Sequence, residues 1–261
     1  AQMNDQNVKP NYVNCMDWSD KVRLYNEKQL LGLYLSGHPI DAYRMELIQY
    51  CGDVTLNNMI PGAPDSPNLI TVGAVVNNAF QRISSKDGNK FYTMTLDDGT
   101  GTFDIMLFGK NAEIYADIEK KMNENRKKKK SANADDINAP LILIVTGYLS
   151  MTDEGMMKLR VKEIHTLESL RVLKARKITL NFTSKLFDDN IMFIDEVLMR
   201  NRVDVKEVNR ELRQTEDPDS IIKGCTLNII RDDKFRFVPR DDLVEGIRDR
   251  AGAQSVRIGY V

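Results

Sequence analysis

Five apolar runs with the length and composition of β-strands lie close together in the middle of the chain. They cover residues 69–82, 90–97, 102–108, 141–151 and 157–165. A stretch with helical spacing, residues 111–123, separates the third run from the fourth. Three strands, a helix and two further strands form the order of a small closed barrel, the OB-fold. This pattern predicts a five-stranded barrel over residues 68–166 with the helix closing one end.

Side chains alternate along the second and third runs, which indicates that one face of each strand fills the barrel core. The predicted inward set is Tyr92, Met94, Leu96, Phe103, Ile105 and Leu107. Asp97 and Asp98, followed by glycine, predict the turn between these two strands. Neighbouring strand residues point to opposite faces, so we expect a turn here and no metal site.

OB-folds bind oligonucleotides on the face of strands two and three, between the loops that join strands one to two and four to five. Basic residues flank both loops and can neutralise phosphates, while two phenylalanines on the outward face can stack on bases. The candidate nucleic-acid-binding residues are Arg82, Lys86, Lys90, Phe91, Phe108, Lys158 and Arg160. Packing of the two phenylalanines against a neighbouring domain remains an alternative. Because Asp87, Asp153 and Glu154 lie in the same loops, we expect binding to be weak.

The bulk composition narrows the class of protein. A chain of 261 residues is long enough for two domains, and its net charge of -1 provides no general attraction for nucleic acid. Three widely separated cysteines predict neither disulfides nor a zinc site, and favour a cytoplasmic location. The apolar runs are too short to span a membrane, so no membrane partner is expected. The lysine-rich run from Lys127 to Lys130 is interpreted as a solvated loop, with a contact to the DNA backbone as the alternative.

Residues 1–67 are predicted to form a helical lead-in. One helix begins at Glu27, carries an apolar face formed by Leu30, Leu31, Tyr34 and Leu35, and ends at Gly37. A second covers residues 40–50 and stops at Gly52. We expect Trp18 to pack onto the next helix. We also expect His38, which has no nucleophile or carboxylate at a motif spacing, to serve in a turn.

Residues 167–261 are predicted to form a separate α+β domain after a connecting helix over 167–177. The predicted strands are 178–182, 225–231, 235–239 and 255–260, with helices over 185–202, 203–214 and from Asp241. The order approaches the split β-α-β-β-α-β, ferredoxin-like pattern. Nothing in this region has the pattern of a catalytic pair, a phosphate loop or a metal cluster.

The lead-in carries a long specific motif, Leu-Gly-Leu-Tyr-Leu-Ser-Gly-His-Pro, over residues 31–39. It closely resembles the segment before the OB domain of the bacterial DNA polymerase III alpha subunits. The resemblance continues through the turn at residues 95–101 and the Met-Leu-Phe at 106–108, and more weakly to the last residue.

This resemblance implies a non-catalytic C-terminal segment of a replicative polymerase. The parent would catalyse nucleotidyl transfer with Mg²⁺ held by carboxylates upstream of this chain, so no cofactor and no catalytic residue are expected here. Single-stranded template would bind the barrel, and the clamp-loader tau subunit would bind residues 167–261. The sliding clamp would be reached through the parent chain. A free-standing OB protein that binds single-stranded DNA or tRNA, and a protein-interaction scaffold, are the alternatives.

Overall fold

The first five strands close into the expected barrel in the structure, a computed structural model. They are β1 (Asn68–Ile83), β2 (Lys90–Asp97), β3 (Thr102–Leu107), β4 (Ile142–Met151) and β5 (Met157–Thr166). Their order around the barrel is β1-β2-β3-β5-β4, and the closing pair β3 and β5 is parallel. The structure describes residues 17–85, 87–115, 118–122, 140–183, 211–213, 224–230, 241–251 and 256–260.

Strand β1 is long because it belongs to two sides of the barrel. Its first half pairs with β4 and its second half with β2, and the register shifts between Val76 and Asn78. A bulge of this kind bends a strand and increases its twist, which lets one strand turn the corner of a closed barrel. The displaced Asn77 donates a hydrogen bond to Asp97 at 2.8 Å, so the bulge is tied to the β2–β3 turn.

The barrel core follows the predicted alternation. Met94, Leu96, Ile105 and Leu107 are buried, while Tyr92 and Phe103 are half-buried against the same cluster. The predicted helix between β3 and β4 is present as a short 3₁₀ helix, Gly109–Ala112, followed by helical residues at 114–115 and 118–122. Its buried side chains, Tyr115 and Ile118, belong to the core cluster, so the helix plugs the barrel as expected.

The lead-in differs from the prediction at its first helix. Helix α1 covers Asp20–Leu31 and ends at Gly32, which has a left-handed φ of 75°. It therefore begins and ends earlier than predicted, and Tyr34 and Leu35 lie beyond it. The proposed apolar face is wrong, because α1 buries none of its residues. Trp18 is 63% exposed and does not act as a packing anchor.

The second lead-in helix agrees with the prediction. A 3₁₀ turn, Asp41–Tyr43, runs into α2 (Arg44–Cys51), which ends at Gly52. Tyr43 and Leu47 are buried, and they pack with Ile142 and Ile144 on the outside of the barrel. The connecting helix α3 (Leu167–Lys174) follows β5 without a loop and adds Leu167 and Leu170 to this cluster. One side of the barrel is thus covered by α2 and α3.

The remaining described elements form a four-stranded sheet with the order β7-β8-β6-β9 and a helix. They are β6 (Ala175–Thr183), β7 (Glu211–Arg213), β8 (Gly224–Ile230), α4 (Asp241–Ala251) and β9 (Val256–Tyr260). The strands predicted near 178, 225 and 255 and the helix from Asp241 are therefore confirmed. The ferredoxin-like completion of the domain stays a prediction, because the helix at 185–202 and the strand at 235–239 lie outside the described residues.

The helix predicted over residues 203–214 is wrong at its C-terminal end. Residues Glu211–Arg213 form β7, which pairs antiparallel with β8 through Leu212 and Cys225. Val205, Val208 and Leu212 have helical spacing, but the unpaired edge of β8 offers backbone hydrogen bonds that outweigh this local preference.

Candidate nucleic-acid interface

A continuous outward face crosses four strands of the barrel. Strand register places Phe80 of β1 beside Thr93 of β2, Thr93 beside Met106 of β3, and Met106 beside Arg160 of β5. Phe80 and Met106 are each 52% exposed. We call this surface, together with Arg82, Phe91 and Phe108 in the adjoining row, the barrel face. It lies on strands two and three and their neighbours, where OB-folds bind oligonucleotides.

Phe91 and Phe108 form the centre of the adjoining row. Their rings stack with centroids 5.4 Å apart and planes inclined by 18°. Phe91 is half-buried, whereas Phe108, the residue after β3, is 58% exposed. Because the two rings already contact each other, no room remains for a base between them. The open side of Phe108 is therefore the surface on which an unpaired base can stack.

Two predicted arginines lie over aromatic rings. The guanidinium carbon of Arg82 is 5.7 Å from the ring centroid of Phe80, and that of Arg160 is 5.2 Å from the ring centroid of Tyr148. Such cation–π contacts hold a planar guanidinium against the protein surface, where it can contact a phosphate or stack on a base. Planar groups thus line the barrel face from β1 across to β4.

The predicted lysines are less well placed. Lys90 begins β2 and Lys158 lies near the start of β5, and both are exposed. Lys86 and the run from Lys127 to Lys130 lie outside the described residues. Carboxylates share the region: Asp104 on β3 accepts a hydrogen bond from Thr95 at 2.7 Å, and Asp153 and Glu154 are exposed in the β4–β5 loop. Because charges of both signs lie in this region, we expect the net electrostatic attraction of this face for phosphates to be modest.

His38 lies against the β2–β3 turn and has the structural role expected for it. Its backbone N–H donates to Asp41 at 2.7 Å, and its ring Nδ1 accepts from the Ile40 N–H at 3.2 Å. Its Nε2 lies 3.4 Å from Asp97 Oδ1 in the β2–β3 turn. Burial lowers the pKa of His38, although Asp97 and Asp41 oppose this effect. A neutral ring is needed here, because Nδ1 already accepts a hydrogen bond.

Asp98 organises the turn itself, as predicted. It is buried, and its Oδ1 accepts hydrogen bonds from the backbone of Thr100 and Gly101 and from the Thr100 hydroxyl. Its Oδ2 accepts from the Leu56 N–H at 2.7 Å, which ties the lead-in to the barrel. Among the described residues, no group of three or more His, Cys, Asp and Glu side chains could hold a metal ion.

Three residues on or next to the barrel face were not among the predicted site residues. Phe80, Met106 and Tyr148 each lie in a run where apolar residues occur on both sides of the strand. The bulge in β1 decides that Phe80 faces outward, and the parallel β3–β5 pair places Met106 beside Arg160. The exposed position of Met106 beside the buried Ile105 and Leu107 was readable from the alternation alone.

Comparison with known proteins agrees with this architecture. A family profile described as an OB-fold nucleic acid binding domain matches residues 70–167. The DNA polymerase III alpha subunit of Escherichia coli K12 is 26% identical over 257 residues, which cover 98% of this chain and 20% of that protein. The chain is homologous to DNA polymerase III alpha subunits. The subunit of Pasteurella multocida is 31% identical over 176 residues, covering 67% of this chain and 13% of that protein.

The chain thus spans about a fifth of the length of the polymerase III alpha relatives that it matches along almost its whole length. Among solved structures, the mitochondrial single-stranded DNA binding protein Rim1 of S. cerevisiae aligns with 39% of this chain and 97% of its own. With 9% identity and a TM-score of 0.26, this likeness supports no functional conclusion. Within the described part of the chain, no helix is long and apolar enough to cross a membrane.

Proposed function

We propose that this chain is the C-terminal, non-catalytic segment of a replicative DNA polymerase III alpha subunit, whose barrel holds single-stranded template DNA. The observation that carries this proposal is the barrel face, which combines the exposed Phe108 ring with Arg82 and Arg160. Stacking on exposed rings requires unpaired bases, and arginines beside the rings can contact the phosphates of the same strand.

Binding to labelled oligonucleotides tests this proposal. In fluorescence anisotropy at low salt, the chain should bind a single-stranded oligonucleotide and should bind the matching duplex more weakly, because a duplex hides its base faces. With Arg82, Lys90, Lys158 and Arg160 near the strand, the logarithm of the binding constant should fall with the logarithm of salt with a slope of about -2 to -3. No binding at high protein concentration would favour a protein-interaction scaffold.

A free-standing single-strand or tRNA binding protein is the second candidate, because the matched profile describes an OB-fold nucleic acid binding domain. The homology of residues outside the barrel favours the polymerase segment. Preference for tRNA over a DNA oligonucleotide of equal length in the same assay would support the alternative.

We propose that the last sheet and helix, residues 175–261, with α3, bind the clamp-loader tau subunit. Residues 175–261, which we call the last unit, would form a split β-α-β-β-α-β domain. This proposal is supported by the antiparallel sheet and by α4 leading into β9. Catalysis by magnesium-dependent carboxylates and binding to the sliding clamp would belong to the parent polymerase upstream, in the cytoplasm. These assignments rest on the relationship to polymerase III alpha.

Capture of tau tests the second role. The whole chain, immobilised, should retain the cognate tau subunit, and a variant with alanine at Phe91 and Phe108 should retain it equally well. Failure of the whole chain to retain tau would refute the assignment. The same chain should not extend a primed template with magnesium and nucleotides, and synthesis would contradict the non-catalytic role.

A further inference from the structure

A buried polar seam joins the lead-in, the connecting helix and the last unit. Arg171 of α3 lies at its centre with 0% of its surface exposed. Its Nε and Nη2 donate to the two carboxylate oxygens of Glu46 on α2, at 2.7 and 2.8 Å. Its Nη1 donates to Asp241, the first residue of α4, at 2.6 Å. One guanidinium therefore connects three elements that are far apart in the sequence.

Glu46 is the second hub of the seam. It is buried, and besides Arg171 it accepts a hydrogen bond from the Tyr260 hydroxyl on β9. Arg248 of α4 places its Nη2 3.8 Å from the same carboxylate. A carboxylate of the lead-in is thus shared among side chains of α3, α4 and β9.

Further polar contacts extend the seam from the turn before α2 to the last turn of that helix. The Tyr43 hydroxyl donates to Glu245 of α4 at 2.7 Å, and the Arg248 guanidinium lies 4.8 Å from the Tyr43 ring centroid. Burial, together with the adjacent Glu245, raises the pKa of Tyr43 well above its ordinary value, so the hydroxyl remains a donor. Gln49 donates to the backbone carbonyl of Ile258 on β9 at 2.9 Å.

These contacts specify an orientation in a way that an apolar interface does not. The apolar cluster beneath α2 and α3 includes Leu47, Leu167 and Leu170, and among the residues described it includes none from the last unit. A bidentate guanidinium–carboxylate pair tolerates little displacement, and a buried charge that loses its partner is strongly destabilising. Rotation of the last unit would separate Arg171 from Asp241 and Glu46 from Tyr260.

We propose that this seam is an orientation lock, in which Arg171 is the positioning residue that holds the last unit in one orientation on the barrel. The covalent connection also restricts the orientation of the last unit, since α3 follows β5 and precedes β6 with no loop on either side. The lock does not depend on what either unit binds. A partner held by the last unit would be presented to the barrel face at a fixed angle.

Hydrogen exchange on the whole chain tests the lock. In Arg171→Met, the amides of α4 and β9 should exchange about a hundredfold faster or more, because Glu46 loses its buried partner. The amides of β1, β2 and β3 should keep their wild-type rates. Arg23→Met is the matched control, since the Arg23 side chain is partly exposed and donates to Asp20 and Ser36 at the surface, and it should change neither set.

A second variant separates geometry from charge. Arg171→Lys keeps the positive charge but lacks the planar fork, so it should also raise exchange in α4 and β9 while the barrel strands stay protected. Wild-type exchange in α4 and β9 of either variant would overturn the proposal. Equal acceleration in the barrel strands and the last unit would also overturn it, because Arg171 would then support the fold in general.

Discussion

Replacing Phe108 with alanine removes the open ring of the barrel face with little effect on the fold. The side chain is 58% exposed, and its described aromatic contact is the stack on Phe91. Loss of a partly exposed aromatic pair should lower the free energy of unfolding by about 1 kcal/mol or less. Base stacking on an aromatic side chain contributes about 1–3 kcal/mol per base. At about 1.4 kcal/mol per tenfold change, the Kd for single-stranded DNA should rise about 5- to 150-fold.

Anisotropy titration with a single-stranded oligonucleotide at low salt measures this change, and thermal unfolding verifies that the variant is folded. Phe108→Tyr retains the ring and should bind like the wild type. Met45→Ala is the control, because Met45 is also exposed but lies on α2, which covers another side of the barrel. An unchanged Kd for Phe108→Ala, or an equal loss for Met45→Ala, would refute the assignment of the stacking surface.

Three further predictions concern the β2–β3 turn, which contacts the lead-in. Asp98→Ala should lower the free energy of unfolding by about 3 kcal/mol or more, because it leaves the buried Leu56 N–H unsatisfied. Asp104 is exposed, so Asp104→Ala should lower it by about 1 kcal/mol or less. Urea denaturation measures both changes. His38 has a lowered pKa in the folded state, so its contribution to stability is complete above its unfolded pKa of about 6.5 and is lost as pH falls through the folded value. Stability should therefore decrease more steeply from pH 7 to pH 5 in the wild type than in His38→Asn, and equal slopes would contradict this reasoning. Gly99→Ala should cost about 1–2 kcal/mol in the same denaturation assay, because Gly99 has a φ of 79° and an added Cβ would lie 3.0 Å from the His38 side chain; a neutral effect would show that the turn relaxes.

The barrel was predictable from the sequence because its strands obey a simple local rule. Met94, Leu96, Ile105 and Leu107 alternate with polar or exposed neighbours, and the structure buries all four. Helix α1 was misplaced because Leu30, Leu31, Tyr34 and Leu35 continue a helical spacing across Gly32. The left-handed conformation of that glycine ends the helix, and the Glu27 carboxylate then binds the Leu35 N–H at 2.7 Å.

The candidate site was predictable only in part. The direction of its phenylalanines depends on alternation within a strand, whereas the position of Arg160 depends on pairing between distant strands. The outward direction of Phe91 and Phe108 follows from alternation, and the structure stacks the two rings. The placement of Arg160 beside Met106 depends on barrel closure between strands whose paired residues are 54 positions apart. No local pattern in the sequence predicts such a pair.

The buried seam could not be predicted from the sequence either, because its residues are far apart along the chain. No pattern in the sequence indicates which charged residues of α4 are buried, yet Arg248 is buried and Asp241 pairs with Arg171. Arg171 and Glu46 are separated by 125 residues. Burial of a guanidinium is favourable only when several acceptors converge on it, and this convergence is a property of the assembled fold.

Methionine-methyl NMR provides the most direct test of the claim that the barrel face contacts single-stranded DNA. Met106 lies in the middle of that face, whereas Met45 is exposed on α2 and Met94 is buried in the core. On addition of a single-stranded oligonucleotide, the ring currents of bound bases should shift the Met106 methyl signal and leave those of Met45 and Met94 unchanged. A shift at Met45 without one at Met106, or no shift at a saturating concentration of oligonucleotide, would contradict the account.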